Sequence, residues 1–414
     1  MKILVYALNY PPEVTGSGKY TGEMAAWLAR RGHEVTVICG LPHYPEWKLH
    51  PGYADARARV ETIEGVKVER APHFVPAADA LGAKARIRLE TGFTFSAGRY
   101  WLPRLFRRTR PDVVFAVMPP MQIGVWPLLF GWVRRVPWIL HVQDLQVDAA
   151  LRLNMLKIGA FGRLLYWIEG FLLRRATRTS TITEAMRARI VAKGAARDRA
   201  WLLPNWSDID AIRPGPRQNA FRDDLGLAVG DVLVLYAGNM GEKQGLEAVL
   251  EAAAQCSDDR RIRFVLVGDG AARGRLERQA QQAALANLQF LPLQPLERLG
   301  EMLAAGDVHL VVQKRDAADL VMPSKLTNIL AAGRACAATA DPGTALHDVV
   351  EGARTGLAVP PGDVPALVAA IRRLADDSAL RDACGRNARA YAEQYLGRDR
   401  VLGEFEQELT SLCG

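Results

Sequence analysis

The sequence lacks a cysteine pattern that could hold a disulfide framework or a structural zinc ion. The five cysteines are odd in number and widely spaced, and no two of them form a CxxC pair. They are Cys39, Cys256, Cys336, Cys384 and Cys413. We interpret them as core or surface thiols.

A long hydrophobic run is also missing from the N-terminus. The opening segment, MKILVYALNYPPE, has only six consecutive apolar residues before Asn9 and Pro11. That run is too short for the core of a signal peptide or for a membrane span. We therefore expect a cytosolic protein.

Tryptophan is absent from the second half of the chain, because all nine lie between Trp27 and Trp206. A chain of 414 residues is also too long for one ordinary core. We expect an N-terminal domain over residues 1–205 and a C-terminal domain over 206–389. The segment LPNWSDIDAIRPGPRQ, rich in turn-forming residues, marks the boundary. A helix at about residues 390–414 would pack back on the first domain.

Short apolar runs alternate with amphipathic helical segments in both halves, which is typical of a mostly parallel sheet covered on both faces. The predicted strands of the first half are Lys2–Leu8, Glu34–Cys39, Asp112–Val117, Trp138–Val142 and Thr179–Ile182. Those of the second half are Asp231–Ala237, Arg263–Val267, Asn287–Leu291, Asp307–Val312 and Ala335–Ala340. The fold class is therefore α/β, with two Rossmann-like, doubly wound domains facing a central cleft.

The run from Asp307 to Gly333 joins a buried strand, a charged loop and a helix opened by Pro323, Ser324 and Lys325. Free amides at a helix N-terminus attract anions, and a cation in the first turn opposes the helix dipole unless an anion lies there. This run therefore predicts an anion site.

Lys314 and Arg315, in the loop of that run, would add positive charge if they converge on the same place. Cations in loops are usually solvated, so each of them is weak evidence alone.

Two glycine-rich turns follow predicted strands of the second half. YAGNMGEKQG offers Gly238, Asn239 and Lys243 as a phosphate-cradling loop, although a lysine merely solvated on a loop is the alternative. VGDGAARG, which contains Gly268, is similar to a dinucleotide turn. The acidic residue that would hold a ribose about 20 residues on is missing, which weakens an NAD-dependent reading.

In the first half, the turn YPPEVTGSGK follows the first predicted strand and precedes a helix predicted over Tyr20–Arg31. Gly16 and Gly18 would let backbone amides approach a ligand, with Glu13 and Lys19 nearby. The alternative is an ordinary strand-to-helix turn.

Polar residues end the predicted strand that contains His141. Gln143 and Asp144 lie at its carboxyl end, where they could contact a sugar or a leaving group. A core histidine bonded to the backbone is an equal alternative for His141, and helix capping is the alternative for Asp144.

Asn205 lies at the predicted domain boundary and is a candidate for the acceptor or diphosphate loop. Asp208 and Asp210 behind it have the spacing of some metal sites, but we expect them to cap or start a helix.

Positive charge dominates, with a formal net charge of +8 and a sequence pI near 9.3. Eight basic residues against Glu90 alone lie between Lys84 and Arg110, interleaved with aromatic residues, and the segment Phe161–Arg178 is similar. Such segments suit an anionic membrane surface. The alternative is a solvated basic helix face, and no nucleic-acid recognition motif accompanies the charge.

The N-terminal NYPPEVTGSGKYTGEMAAWLARRGHEV, PHYPEW, LPNWSD, GNMGEKQGLE and the QKRDAADLVMPSKLTNILAAG segment resemble the retaining family 4 glycosyltransferases of the GT-B fold. More narrowly, they resemble the colanic acid biosynthesis glycosyltransferases known as fucosyltransferases. The resemblance runs through almost the whole chain. It implies a nucleotide-diphosphate sugar as donor, such as GDP-fucose, and a lipid-linked or polysaccharide acceptor for cell-envelope or exopolysaccharide synthesis. From the basic and aromatic segments we expect a peripheral position at the inner face of the cytoplasmic membrane.

The resemblance implies that Lys243 binds the donor diphosphate, with no metal and no cofactor. Asn239 stands where the family usually has an arginine, and Asn328 and about Leu320 stand where it has paired glutamates. Gln143 aligns most nearly with the family's active-site histidine.

Retention in the family is usually explained by front-face displacement, so we assign no carboxylate nucleophile. Our hypothesis is that Lys243 and Lys325 hold the diphosphate, while Asp144 or Glu13 orients the donor sugar or the acceptor hydroxyl. A nucleotide-sugar-binding protein without turnover is the first alternative, and an NAD-dependent oxidoreductase is the second.

Overall fold

The computed structural model describes residues 1–13, 16–44, 46–77, 80, 82–148, 159–315 and 323–413. The chain forms two compact units. The first comprises Met1–Pro204 and Leu402–Gly414, and the second comprises Asn205–Val401.

The first unit is built on an eight-stranded sheet of order β3-β4-β2-β1-β5-β6-β7-β8. All neighbouring pairs are parallel except β3 and β4. The strands are β1 Lys2–Tyr6, β2 Glu34–Gly40, β3 Arg59–Ile63, β4 Val66–Ala71, β5 Val113–Met118, β6 Trp138–Val142, β7 Arg178–Thr181 and β8 Ala200–Leu202. Its helices include α1 Gly16–Arg30, α2 Ala83–Phe106, α3 Val125–Arg134, α4 Ala160–Arg175 and α5 Glu184–Ala192.

The second unit is built on a six-stranded parallel sheet of order β11-β10-β9-β12-β13-β14. The strands are β9 Val232–Ala237, β10 Ile262–Val267, β11 Leu288–Leu291, β12 Val308–Val311, β13 Ala335–Thr339 and β14 Gly356–Val359. Its helices include α6 Ala220–Asp224, α7 Glu247–Gln255, α8 Arg273–Gln282, α9 Leu299–Ala305, α10 Ser324–Ala331, α11 Val364–Asp376 and α12 Ser378–Tyr395. A further helix, α13 Arg398–Cys413, carries the chain into the first unit.

In each sheet the chain adds strands first towards one edge and then towards the other. This switch in strand order lies between β9 and β12 in the second unit and between β1 and β5 in the first, and both pairs are parallel. Ligands of open α/β sheets bind beyond the carboxyl ends of the strands at such a switch. The turns that follow β9 and β12 therefore occupy the position where a ligand is expected in the second unit.

The predicted α/β class with two Rossmann-like, doubly wound domains is confirmed, and each of the ten predicted strands is present. Most of these strands were predictable because they are buried and therefore nearly continuous in apolar residues, as in Val113–Met118.

Strands β3, β4, β8 and β14 were not predicted. β3 alternates between half-buried and exposed residues, and β8 and β14 are only three and four residues long. Their hydrophobic signal is correspondingly weak.

Helix α1 begins at Gly16, four residues before the predicted start at Tyr20. Gly16 and Gly18 therefore belong to the first turn of the helix and not to a loop in front of it. Gly18 lies against Glu13, since a Cβ on Gly18 would be 3.1 Å from Glu13 Oε2. Close packing of this turn on a buried side chain explains the small residues.

The C-terminal helix α13 packs on the first unit's own elements. The rings of Phe405 and Phe115 are 5.1 Å apart, and Glu406 accepts hydrogen bonds from Arg31 at 2.9 Å and contacts His33 at 2.8 Å. The last residues of the chain therefore complete the N-terminal core.

Four cysteines are buried and Cys413 is exposed, and all five are free thiols. Among the helices that the structure describes, none has the length and apolar character needed to cross a membrane.

Candidate functional site

Two glycines bring the turns after β9 and β10 into backbone contact. Gly238 donates its N–H to the Val267 carbonyl at 2.9 Å, and a Cβ on Gly268 would lie 2.0 Å from the Gly238 carbonyl oxygen. Both glycines also have positive φ angles, 148° and 143°. No side chain fits at Gly268, so glycine is required for these turns to meet.

A second crossing lies just beyond. Met240 donates its N–H to the Asp269 carbonyl at 2.7 Å, and a Cβ on Gly270 would be 2.5 Å from Asn239 Oδ1. The exposed Asn239 is therefore held at the outer end of the paired turns.

Lys325 lies beneath this crossing. Its Nζ is 3.8 Å from the centre of the Tyr236 ring, and a Cβ on Gly238 would be 3.4 Å from Lys325 Cε and 3.6 Å from Nζ. Among the described residues, Nζ has no hydrogen-bond partner although it is screened from solvent. Burial lowers the pKa of Lys325 to about 7. The Tyr236 ring face is the group that stabilises this buried ammonium, and an anion bound beside it would stabilise the charge further.

Tyr236 contacts both the glycine turn and Lys325. The sequence analysis did not identify it as a site residue. Its hydroxyl donates to the Asn239 carbonyl at 2.6 Å, and its ring supports Lys325. The available signal was an aromatic residue at the end of a buried strand, directly before the glycine turn.

Lys243 and Lys314 are linked through the backbone. Lys314 donates its N–H to the Lys243 carbonyl at 2.9 Å, which joins the turn after β9 to the turn after β12. The Lys243 side chain is exposed, and within the described part of the chain its ammonium forms no ion pair. Lys314 Nζ is 4.0 Å from Glu242, a weak contact. Both lysines remain available to a ligand.

Arg315 is directed elsewhere. Its guanidinium contacts Asp341 at 3.1 and 3.3 Å at the protein surface. We expected that Arg315 could contribute to the group of cations around the anion site, but the Asp341 carboxylate already balances the charge of Arg315.

Helix α10 begins at Ser324, directly after Pro323, so Lys325 lies in its first turn. Asn328 is three residues further along and shares that face of the helix. The Ser207 hydroxyl donates to Asn328 Oδ1 at 2.9 Å, which leaves the amide NH₂ of Asn328 for a ligand. Leu320 lies outside the described residues.

In the first unit, His141 is a core residue. Its Nε2 accepts from the Gln143 amide at 2.9 Å, so Nδ1 carries the proton and donates to Ser180 Oγ at 2.9 Å. Burial lowers the pKa of His141 to about 3, and its ring stacks on Phe115. His141 is therefore neutral, and it orients Gln143 beyond the end of β6.

Glu13 is buried and holds a neighbouring turn. Its Oε1 accepts the N–H groups of His43 and Tyr44 at 2.8 and 3.0 Å. Oε2 has no hydrogen-bond partner among the described residues and faces Gly18. One carboxylate oxygen thus fixes the backbone, and the other is directed at the start of α1.

Lys19 is engaged on the surface of α1, where its Nζ is 3.8 Å from Glu23 and 5.4 Å from the centre of the Tyr20 ring. A Cβ on Gly16 would contact Tyr44 at 3.7 Å. These residues lie around the carboxyl end of β1, as predicted, but Lys19 is already partly neutralised.

The remaining predicted residues are divided between the units. Asp144 is half-buried just after β6, and Asn205 is buried at the first position of the second unit. Asp208 accepts the N–H groups of Asp210 and Ala211 and pairs with Arg398 at 2.8 Å. It therefore caps a turn, and not the helix that was expected, because residues 208–212 form only a turn. Within the described ranges, no group of three His, Cys, Asp or Glu side chains could hold a metal ion.

The second unit thus concentrates positive charge at the carboxyl edge of its sheet. Lys325 lies under the glycine turn at Gly238, Asn328 follows it on α10, and Lys243 and Lys314 lie on the joined loops. Such an arrangement can bind a phosphate-bearing ligand and stabilise negative charge on it.

Two family models match consecutive parts of the chain. Residues 15–206 match the glycosyl transferase 4-like domain, and residues 217–391 match the glycosyl transferases group 1.

The chain is 40% identical over 417 residues to the colanic acid biosynthesis glycosyl transferase WcaI of Escherichia coli (strain K12), covering 99% of this chain and 100% of that protein.

Two solved structures share the fold at low sequence identity. Sucrose-phosphate synthase from Thermosynechococcus elongatus superposes with a TM-score of 0.76 at 18% identity, over 100% of this chain and 99% of that one. Anabaena Alr3699/HepE in complex with UDP gives 0.75 at 16% identity, over 99% and 100%.

The buried ammonium of Lys325 predicts a pH-dependent stability. Below pH 7 the lysine is charged in both the folded and the unfolded chain, so folding bears the full cost of burying the charge. Between pH 7 and about 10.5 only the unfolded chain carries the proton, so this cost fades as pH rises. We expect Lys325→Met to raise the melting temperature by about 2–4 °C at pH 6 and by much less at pH 9.5.

The matched control is Lys243→Met, which replaces an exposed lysine and should show the same difference from wild type at both pH values. An equal change in the melting temperature of Lys325→Met at pH 6 and pH 9.5 would show that the ammonium is not a buried charge.

Proposed function

The chain belongs to the glycosyl transferases group 1, and on that basis we propose that it moves a sugar from a nucleotide-diphosphate sugar to a lipid-linked or polysaccharide acceptor. GDP-fucose is the first donor to test. The similarity to a protein named for colanic acid biosynthesis supports a role in exopolysaccharide or cell-envelope synthesis. Binding of a nucleotide sugar without turnover is the remaining alternative.

The observation that carries the donor assignment is the unpaired ammonium of Lys325 under the glycine turns of the second unit. A donor diphosphate would supply the missing anion. The UDP complex of Alr3699/HepE, which has the same fold, supports a nucleotide ligand.

The chemical step requires stabilisation of the nucleoside diphosphate as its bond to the sugar breaks. Fixed positive charges and preorganised N–H donors do this with little reorganisation. We assign this task to Lys243 and Lys325 and to the amides at the start of α10, with Asn328 donating to ribose or phosphate oxygens. The charge they supply is the basis for proposing a transfer that needs no metal ion and no cofactor.

We further propose that the transfer retains the configuration of the sugar by front-face displacement, with the leaving diphosphate taking up the acceptor proton. The buried Oε2 of Glu13 and the carboxylate of Asp144 are the candidates that orient the acceptor hydroxyl or the sugar. His141 is a positioning residue, because its low pKa keeps it neutral while it aligns Gln143.

The first unit also carries the proposed membrane surface. Helices α2, α3 and α4 lie side by side, and large apolar side chains protrude from each of them. The most exposed are Phe95, Phe106, Trp132 and Trp167. Exposed arginines accompany them on α2 and α4. This combination suits insertion into an anionic bilayer surface, where a lipid-linked acceptor is found.

The sequence interpretation of this surface needs one correction. Phe93 and Trp101 are among the aromatic residues that interleave the basic residues between Lys84 and Arg110, but both are fully buried in the core of the first unit and cannot face a membrane. Trp101 stacks against Trp126 at 6.4 Å, which joins α2 to α3. The surface is therefore smaller than the aromatic composition of α2 suggested.

Replacing Lys243 by alanine tests the transferase assignment. We expect kcat/KM for transfer to fall by about 100-fold or more, because one fixed charge on the leaving diphosphate is lost. The donor is first chosen by thermal shift with GDP-, UDP- and dTDP-sugars, and product is then measured by mass spectrometry.

The control is Arg278→Ala, which removes an exposed cation of the same unit on α8. Near-normal transfer by Lys243→Ala would remove the donor assignment. Donor binding with no product from wild type, in the presence of membrane lipid extracts, would favour the non-catalytic alternative.

The membrane surface is tested with the triple variant Phe95→Ser, Phe106→Ser and Trp132→Ser. We expect it to lose at least tenfold in partitioning to vesicles that contain anionic lipid, because three inserting side chains are gone. Co-sedimentation at low salt measures the partitioning.

The second unit provides a control with the same number of substitutions in Val229→Ser, Leu293→Ser and Leu296→Ser, which are also exposed apolar residues. Equal partitioning of the two triple variants, or no sedimentation of wild type, would contradict the membrane assignment.

A further inference from the structure

A cavity of about 520 Å³ opens at the amino edge of the second unit's sheet. Asp307 and Arg334 in its wall directly precede β12 and β13, whereas the glycine turn and Lys314 follow the carboxyl ends of β9 and β12. The cavity therefore lies at the opposite edge of the sheet from the proposed donor site. Its volume is in the range of small-molecule sites.

Arginine dominates the wall. Five arginines line the cavity against three acidic residues. The arginines are Arg217, Arg334, Arg381, Arg386 and Arg389, and the acids are Asp307, Asp382 and Glu393.

Two of the acids are already paired. Asp307 is contacted by Arg217 at 2.6 Å and by Arg222, which lies outside the wall, at 2.8 Å. Asp307 also accepts the Leu233 N–H at 2.7 Å. Glu393 pairs with Arg389 at 2.7 Å. Their close ion pairs are therefore with arginines other than Arg334, Arg381 and Arg386.

Three wall arginines have no carboxylate partner in the described part of the chain. Arg334 donates only to the Gly215 carbonyl, at 2.8 Å, and its Nε is buried without a hydrogen-bond partner. Arg381 donates to carbonyls at the end of α11, including Ala375 at 2.7 Å. Arg386 on α12 is exposed and makes no side-chain hydrogen bond or ion pair there.

Carbonyl partners orient these guanidinium groups without cancelling their charge. Burial lowers the pKa of Arg334, and the neighbouring Arg217 lowers it further, against the opposing effect of Asp307. Asp382, which is exposed, is the one acid of the wall left to oppose Arg334, Arg381 and Arg386. Like charges held together in a partly buried place are unfavourable unless an anion joins them.

We propose that this cavity binds the phosphate group of a small-molecule ligand, at a site distinct from the donor site. Guanidinium groups bind phosphate oxygens in pairs, and several fixed by the fold provide a preorganised cradle. The volume leaves room for an organic body beside the phosphate. This inference does not depend on the proposed transferase function.

The test uses the full-length Lys243→Ala variant, in which the donor site is weakened. Inorganic phosphate and a hexose phosphate are titrated by calorimetry in a phosphate-free buffer. We expect saturable binding that Arg386→Gln, added to the same background, weakens by about tenfold. Tighter binding of the hexose phosphate would identify an organic phosphate as the ligand, and equal binding would identify free phosphate.

Arg373→Gln is the matched control, because Arg373 is exposed on α11 and does not line the cavity. Arg386 has no structural contact to lose, so melting temperatures of the two variants should agree. Absence of saturable binding, an unchanged Kd in Arg386→Gln, or equal displacement by potassium chloride at the same ionic strength would each overturn the proposal.

Discussion

The proposed donor site depends on one charge without a hydrogen-bond partner among the described residues, the ammonium of Lys325. Its Nζ lies 3.8 Å from the Tyr236 ring centre and is screened from water. A charged lysine in this position lowers the stability of the fold, because the ring face replaces only part of the hydration that the ammonium loses. The fold tolerates that cost at the carboxyl edge of the sheet, where the first turn of α10 presents backbone N–H donors and the exposed Lys243 and Lys314 lie on neighbouring loops. An anion placed there would satisfy all of them together.

Two glycines in the sequence allow the candidate site to form. Because Gly238 and Gly268 have no side chains, the turns after β9 and β10 touch through their backbones, and Lys325 fits underneath. The link from Lys314 to the Lys243 carbonyl then joins the turn after β12 to the turn after β9. The positions of both exposed lysines are thus set by main-chain contacts and do not depend on their own side chains.

Much of this could be predicted from the sequence, since continuous apolar runs give buried strands and glycine-lysine turns after them indicate phosphate sites. Contacts between residues far apart in the chain could not. The sequence around Tyr236 does not indicate that its ring contacts Lys325. The sequence around Asn328 does not indicate that its side-chain oxygen accepts a hydrogen bond from Ser207. The sequence is compatible with His141 as a catalytic or a core residue. Its contacts with Ser180 and Phe115, which are distant in the chain, identify it as a core residue. The arginine cavity combines residues from distant segments and gave no local signal.

The most direct test of the central claim is proton uptake on binding of a nucleoside diphosphate. At pH 8 most of the Lys325 population is neutral, whereas the phosphates of the nucleotide are already ionised. Binding should therefore draw close to one proton from solution, seen by calorimetry in two buffers of different ionisation enthalpy. The account predicts this uptake in wild type and its loss in Lys325→Met. Tight binding with the same heat in both buffers would contradict it.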